Sequence, residues 1–416
     1  MNPRVLILTA GFGEGHNAAA RALAEAFHRQ SGPDSCRIVD AFALASPRIN
    51  RIARGTYLRL INDAPHVWSR FYDWIDRYHV VQRHLWFFRR EIRVLAELIA
   101  LERPAAICCT YPLYGFFLEA VARTAGGRSA TPGGSSPDSG RFPPVYNVVT
   151  DSISIHSLWW RAACDGWFLP NEDSADVLRS AQLPIAKIHV CGFPVPAFFS
   201  DQAGTLSPPD LLAGSAPRIL HVINSGTRHA AETARRLLTE TDWEVTCAVG
   251  RDEKLRAQLE ALASRRARPA RILGWTDQIP RLLMTHHAVV SKAGGATTQE
   301  AIAALCPMIV SQVVPGQEEG NYELLRRHDA GTLAETPEAV LTALRRAFAD
   351  QGKVWRQWRA ALRPLARADA ADAIARHILA SRPTSSLTST SLVPGPGPAA
   401  GVSLAADRGA DLPAPP

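Results

Sequence analysis

The chain has 416 residues, 46% of them hydrophobic and 20% charged, with a net charge of +7. These proportions exclude a low-complexity or wholly disordered polypeptide and suit a globular protein long enough for two domains. The positive balance points to an anionic partner (nucleic acid, acidic lipid or a phosphorylated substrate). The seven cysteines, without a CxxC pair, read as reduced buried thiols of a cytosolic protein.

Residues 5–9, VLILT, read as a buried parallel strand; the run is too short for a signal-peptide core. The glycine turn AGFGEGH follows, then a helix over 17–29 and a strand over 37–40. Residues 47–101 read as helical, with breaks near Pro65 and His79. Between Arg48 and Arg93 ten arginines stand against four acids, interleaved with Trp68, Phe71, Trp74, Trp86 and Phe87. Arginines and aromatics together suit a lipid headgroup boundary. Core packing explains the aromatics equally well, and no RRM, helix-turn-helix or zinc-finger pattern supports nucleic acid.

A strand over 105–110 and a helix over 114–123 come next. The apolar stretch 105–118 is broken by Pro112 and Gly115 and falls short of a membrane span. Residues 124–144 are rich in Gly, Ser and Pro and read as a mobile loop. Strands follow at 145–150, 167–169 and 187–191, with a helix at 174–180. Residues 194–217, with five prolines, read as an interdomain connection.

A second alternation then begins. Strands are predicted at 218–223, 243–249, 271–273, 288–291 and 307–311. Helices are predicted at 228–240, 253–264, 279–284, 297–304, 319–328 and 337–349, and a last helical stretch at 352–380, kinked at Pro364. The tail from Ser381 reads as disordered. Alternating strands and helices predict an α/β architecture of two Rossmann-like domains facing each other across a cleft. The divisions are 1–193 for the first domain, 194–217 for the linker and 218–352 for the second domain. Residues 353–380 form helices that could cross back to the first domain, and 381–416 the tail.

The stretch from Ser291 to Asn321, SKAGGATTQEAIAALCPMIVSQVVPGQEEGN, carries the most chemistry. Gly294 and Gly295 let the backbone turn sharply and approach a ligand. Thr297 sits where a helix begins, and the free N–H groups there suit a diphosphate. Glu300, Gln317 and Glu318 supply the carboxylates and amide that sugar hydroxyls need. The arrangement predicts a nucleotide-sugar pocket.

The segments LILTAGFGEGHNAAARALAEAF and SKAGGATTQEA with PMIVSQVVPGQEEGN resemble the monogalactosyldiacylglycerol synthases and processive diacylglycerol beta-glucosyltransferases. That family is related to the N-acetylglucosaminyltransferase of the peptidoglycan lipid precursor. The resemblance covers roughly residues 5–379. It implies a GT-B fold, inverting transfer of galactose or glucose from a UDP-hexose, and a diacylglycerol acceptor at an anionic membrane surface. A peripheral enzyme on the cytoplasmic face of the cell membrane is the corresponding location.

By position, the resemblance places Gly294, Gly295 and Thr297 at the diphosphate, Glu300 at the ribose, and Gln317 and Glu318 at the sugar. Trp275 and Thr276 fall at the uracil, and Ser225 and Gly226 in the loop opening the donor domain. Gly13 and Gly15 flank the acceptor side. His16 takes the place of the proposed catalytic histidine, and Asp151 lies in a motif near the acceptor. The turn NSGT has fewer glycines than the family pattern, and Phe12 and Glu14 intrude into the first turn, where Glu14 would restrict the headgroup. Either His16 or Asp151 could be the base. No DxD triplet lies near the cleft turns and no His/Cys cluster has zinc spacing, so metal-independent transfer without a cofactor is expected. A UDP-GlcNAc transferase acting on a polyprenyl lipid, a UDP-sugar 2-epimerase and a non-catalytic UDP-sugar sensor stay open. So do the hexose, the exact lipid, processivity and oligomeric state.

Overall fold

The computed structural model describes residues 4–63, 80–126, 142–223, 228–316 and 318–381. The first sheet contains β1 (Val5–Leu8), β2 (Cys36–Val39), β3 (Ala106–Cys109), β4 (Val145–Val148), β5 (Gly166–Leu169) and β6 (Ile188–Val190). The second contains β7 (Arg218–Val222), β8 (Glu244–Ala248), β9 (Ala270–Leu273), β10 (Ala288–Lys292), β11 (Met308–Gln312) and β12 (Gly331–Leu333). Their orders are β2-β1-β3-β4-β5-β6 and β12-β11-β10-β7-β8-β9, with neighbouring strands parallel. Central strands such as β1 and β3 are buried along their whole length. They are therefore continuous apolar runs, because helices cover both faces. The strand order reverses between β1 and β3 and again between β7 and β10. Crevices open at such reversals, beyond the carboxyl ends of the strands.

The helix α1 spans Glu14–Ser31, beginning one turn earlier than the sequence suggests. Gly13, at φ 125°, ends the preceding turn in a conformation that favours glycine, and Glu14 opposes the helix dipole in the first turn. Most of the buried face of α1 joins the first sheet, but Ala19 packs into the core of the second. The seam between the domains thus runs along this helix.

Elsewhere the elements follow the predicted order, apart from short unpredicted helices at Ala41–Ala45 and Phe198–Asp201 and three larger differences. The stretch 47–101 contains helices Pro47–Asp63, Val80–Arg83 and Arg89–Glu102, with a 3₁₀ turn at Leu85–Phe88. The edge strand β12, only three residues long, carries too little periodicity to be legible. The last helical region does not kink at Pro364. The helix Pro337–Leu362 is interrupted at residues 349–352, ends before that proline, and a separate helix, Ala370–Ala380, follows. Proline is disfavoured inside a helix because it lacks an N–H and clashes with the preceding turn.

Helix Pro337–Leu362 buries Trp355 and Trp358 in the second core, whereas Ala371, Ile374, Ala375 and Ile378 join the first. The chain therefore crosses between the domains twice. The two crossings touch at Gly192, where φ is 102° and a β-carbon would overlap the Cβ of Arg367. The connection at 194–217 is not loose: Val195 and Phe199 are buried in one core of the second domain and Leu211 in the other.

His221, on β7, is inaccessible to solvent and, among the described residues, neither ring nitrogen has a hydrogen-bond partner. Burial alone lowers its pKa from 6.5 to about 4. The unfolded chain then binds the proton more tightly, so this histidine favours folding above pH 6.5 and loses that contribution as pH falls towards 4. Thermal unfolding at pH 7.5 and 4.5 tests this: His221→Leu should lose less stability over that interval than the parent, by roughly 1–3 kcal/mol. Equal losses in both proteins would show that His221 does not titrate in this way.

Candidate active site at the domain seam

The first wall of the seam is built from the loops after β1, β3 and β4. His16 lies in the first turn of α1, where its Nδ1 shares a 2.8 Å hydrogen bond with Thr150 Oγ1. The Tyr111 ring meets it edge-on at 5.1 Å. Part of the imidazole surface remains accessible, yet protein encloses it on most sides. Desolvation lowers its pKa to about 4, against a backbone hydrogen bond to Thr110 that favours the charged form.

Asp151 follows Thr150 directly. Its Oδ2 accepts a 2.7 Å hydrogen bond from Trp159 Nε1. Desolvation raises its pKa to about 6, opposed by that indole. Trp159 is fully buried, and its own carbonyl accepts from Asn147 Nδ2 at 3.0 Å and Trp167 Nε1 at 2.8 Å. Trp159 thus orients Asp151. It stands in the SLWW segment, and its role was not legible there because an indole eight residues away reaches the carboxylate only through a 3₁₀ turn.

The second wall is the β10–helix turn. Helix Gly295–Ala303 starts after Gly294 with no side-chain cap among the described residues, which leaves its first N–H groups at the seam. The loop after β11 folds back to hold this turn. Glu318, 5% exposed, bonds Lys292 Nζ at 2.6 Å through Oε1 and accepts from Val314 N at 3.1 Å through Oε2. Asn321 Nδ2 donates to Ala293 O at 3.0 Å. Lys292 was not singled out from sequence, although a lysine separated by one residue from a glycine pair at a strand end is the available signal. Its ammonium lies beside the helix start, where a diphosphate would gain from a positive charge.

The walls meet backbone to backbone. A β-carbon on Gly15 would lie 3.8 Å from Ala296 N, and one on Gly295 would lie 3.7 Å from Thr150 O. His16, Asp151, Gly15, Gly294, Gly295 and Thr297 are therefore brought to one place. Glu300 also borders the seam: desolvation raises its pKa to about 7, opposed by Arg21 of α1 and assisted by Glu14. Glu14 itself forms an ion pair with Arg21.

Other predicted residues lie elsewhere. Trp275 is 71% exposed in the turn after β9, at the edge of the second sheet, and Thr276 Oγ1 accepts from Gln278 N there. Trp86 and Phe87 stack at 3.8 Å and are both largely exposed, while the adjacent Phe88 packs inward on Phe42 and Phe117. Trp68, Phe71, Trp74, Ser225, Gly226 and Gln317 lie outside the described residues. Among the described residues, no cluster of three or more His, Cys, Asp or Glu side chains could hold a metal ion, and no helix is long and apolar enough to cross a membrane.

No family model matches the chain. It is 25% identical over 387 residues to a processive diacylglycerol beta-glucosyltransferase of Bacillus cereus (strain AH820), covering 91% of this chain and 94% of that one. Among solved structures it is similar to MurG of Acinetobacter baumannii, with a TM-score of 0.57, 15% identity and coverage of 91% and 99%. It is also similar to the UDP-GlcNAc 2-epimerase of Neisseria meningitidis bound to UDP-GlcNAc, with a TM-score of 0.55, 11% identity and coverage of 91% and 100%. The chain is thus similar along most of its length to processive diacylglycerol beta-glucosyltransferases and has the GT-B fold.

The Asp151 carboxyl should titrate near pH 6 by carbon-detected NMR. Trp159→Phe removes the donor that favours the carboxylate, so the midpoint should move upward; an unchanged or lower midpoint would show that the indole does not set it.

Proposed function

We propose that this protein transfers glucose, with inversion, from UDP-glucose to the free hydroxyl of diacylglycerol. The observation that carries the reading is the seam itself: an uncapped helix start with Lys292 on one side, and an enclosed carboxyl on the other. The former suits a departing diphosphate, the latter the removal of a proton. The names of the homologous enzymes supply the sugar and the acceptor.

In this reading Asp151 is the base. A general base works best with a pKa near the working pH. Asp151, at about 6, is mostly ionised at pH 7 and still binds a proton appreciably. His16, driven further towards neutrality by burial, at about 4, is the weaker base of the two. Its place is to hold Thr150 and shape the acceptor side. The acceptor oxygen attacks the anomeric carbon as its proton passes to Asp151, and the bond from that carbon to the UDP oxygen breaks on the opposite face. The helix start at Gly295 and Lys292 take up the charge that develops on UDP. Transfer then requires no divalent metal. Glu300 completes the donor pocket, whose turn Glu318 braces through Lys292 and Val314 N, and the exposed Trp86–Phe87 pair with neighbouring arginines docks the protein on anionic lipid at the cytoplasmic face.

Protein incubated in EDTA with UDP-glucose and phosphatidylglycerol vesicles containing diacylglycerol should release UDP and yield β-glucosyldiacylglycerol. A different lipid product, epimerised nucleotide sugar or strict dependence on added Mg²⁺ or Mn²⁺ would refute the corresponding part. Asp151→Asn should lower kcat by roughly 10²–10⁴-fold while UDP still binds. His16→Ala should cost less than Asp151→Asn, and the reverse order would make the histidine the base.

A further inference from the structure

The segment that follows Asp151 leaves the first domain and seats itself in the second. Ile153 has φ 54°, a region that β-branched residues rarely occupy. Around it Ser154 N donates to Ser152 O, closing a tight three-residue turn of the uncommon positive-φ kind. The first domain holds its backbone, with Ser174 Oγ accepting from Ile153 N at 3.1 Å. Its side chain packs on the second-domain core. Beside it, Gln299 Nε2 of helix Gly295–Ala303 donates to Ser152 Oγ at 3.0 Å in a buried setting. From the other side, helix Glu319–Arg327 presents Gly320, where a β-carbon would overlap the Ser152 carbonyl oxygen and stand 2.7 Å from Ser154 N.

We propose that residues 152–154 form a strap that locks the donor-binding domain to the loop bearing Asp151, so that the carboxylate is placed only when the two domains close. Three independent features support this. The strained conformation at Ile153 needs surrounding contacts to hold it, and those contacts come from both domains. Gly320 leaves room for one close backbone approach between the strap and the second domain, which a β-carbon would obstruct. Gln299 lies one turn beyond the helix start at Gly295, so donor contacts and the strap share one rigid element. Ser152, Ile153, Gln299 and Gly320 are positioning residues: they act through Asp151. The proposal rests on the reading of Asp151 as the base, but closure itself does not.

Gly320→Ala in the full-length protein tests it. With saturating UDP, small-angle scattering should give a larger radius of gyration than the parent. The Kd for UDP, by calorimetry, should stay within about threefold, and kcat on diacylglycerol vesicles should fall by about 10²-fold with KM for UDP-glucose little changed. Gln299→Leu adds no bulk and should shift scattering and kcat in the same direction, less strongly; it decides the matter if Gly320→Ala does not fold. Unchanged scattering and unchanged kcat would overturn the strap. So would an open variant with normal kcat, or a closed one with kcat lost. If the parent transfers no glucose to diacylglycerol, the reading under Proposed function fails, and scattering alone decides whether the strap controls closure.

Discussion

The structure depends on backbone meeting backbone where the two sheets face each other. Gly15 approaches Ala296, Gly295 approaches the Thr150 carbonyl, and Gly320 approaches the Ser152 carbonyl. At Gly320 a single added carbon would not fit without movement. With side chains absent at these points, the start of helix Gly295–Ala303 comes directly against the loops that carry His16 and Asp151. The site is formed at this seam, between two switch points each left incomplete by its own domain.

The same enclosure sets the electrostatics. His16 is driven towards neutrality, Asp151 and Glu300 towards holding a proton, and in each case desolvation is the largest cause. The opposing influences are small and local: a backbone carbonyl at His16, one indole at Asp151, one guanidinium at Glu300. Burial dominates each shift, so a rearrangement that admits water would move all three towards their ordinary values. By contrast, the Lys292–Glu318 pair lies within the second domain, where it fixes the turn after β10.

Much of this was legible in the chain. The apolar runs of β1, β3, β7 and β10 are continuous because both sheet faces are covered, and continuous runs are the readable signal of parallel strands. The turns AGFGEGH and KAGG were recognisable because glycines interrupt otherwise regular patterns at strand ends. Harder to read were Trp159 and Gln299. Each looks like an ordinary apolar or helical residue in its own segment, and acts through a partner, Asp151 or Ser152, contributed by a different element. Ile153 carried no signal at all, since positive φ at a β-branched residue contradicts its propensity and is imposed from outside.

The sequence by itself determined the two α/β halves, the glycine turns at their carboxyl ends and the pairing of a diphosphate-like turn with a polar loop. These follow from local periodicity and from the conformational freedom of glycine, which neighbours in the chain suffice to express. Only the tertiary structure decided which side chains share the seam, that Asp151 and His16 have shifted in opposite directions, and that Glu318 and Asn321 brace the turn they follow. Those properties come from burial and from contacts between residues as distant in the chain as Ser152 and Gln299. Desolvation and orientation belong to the enclosure, and no single segment encloses the site.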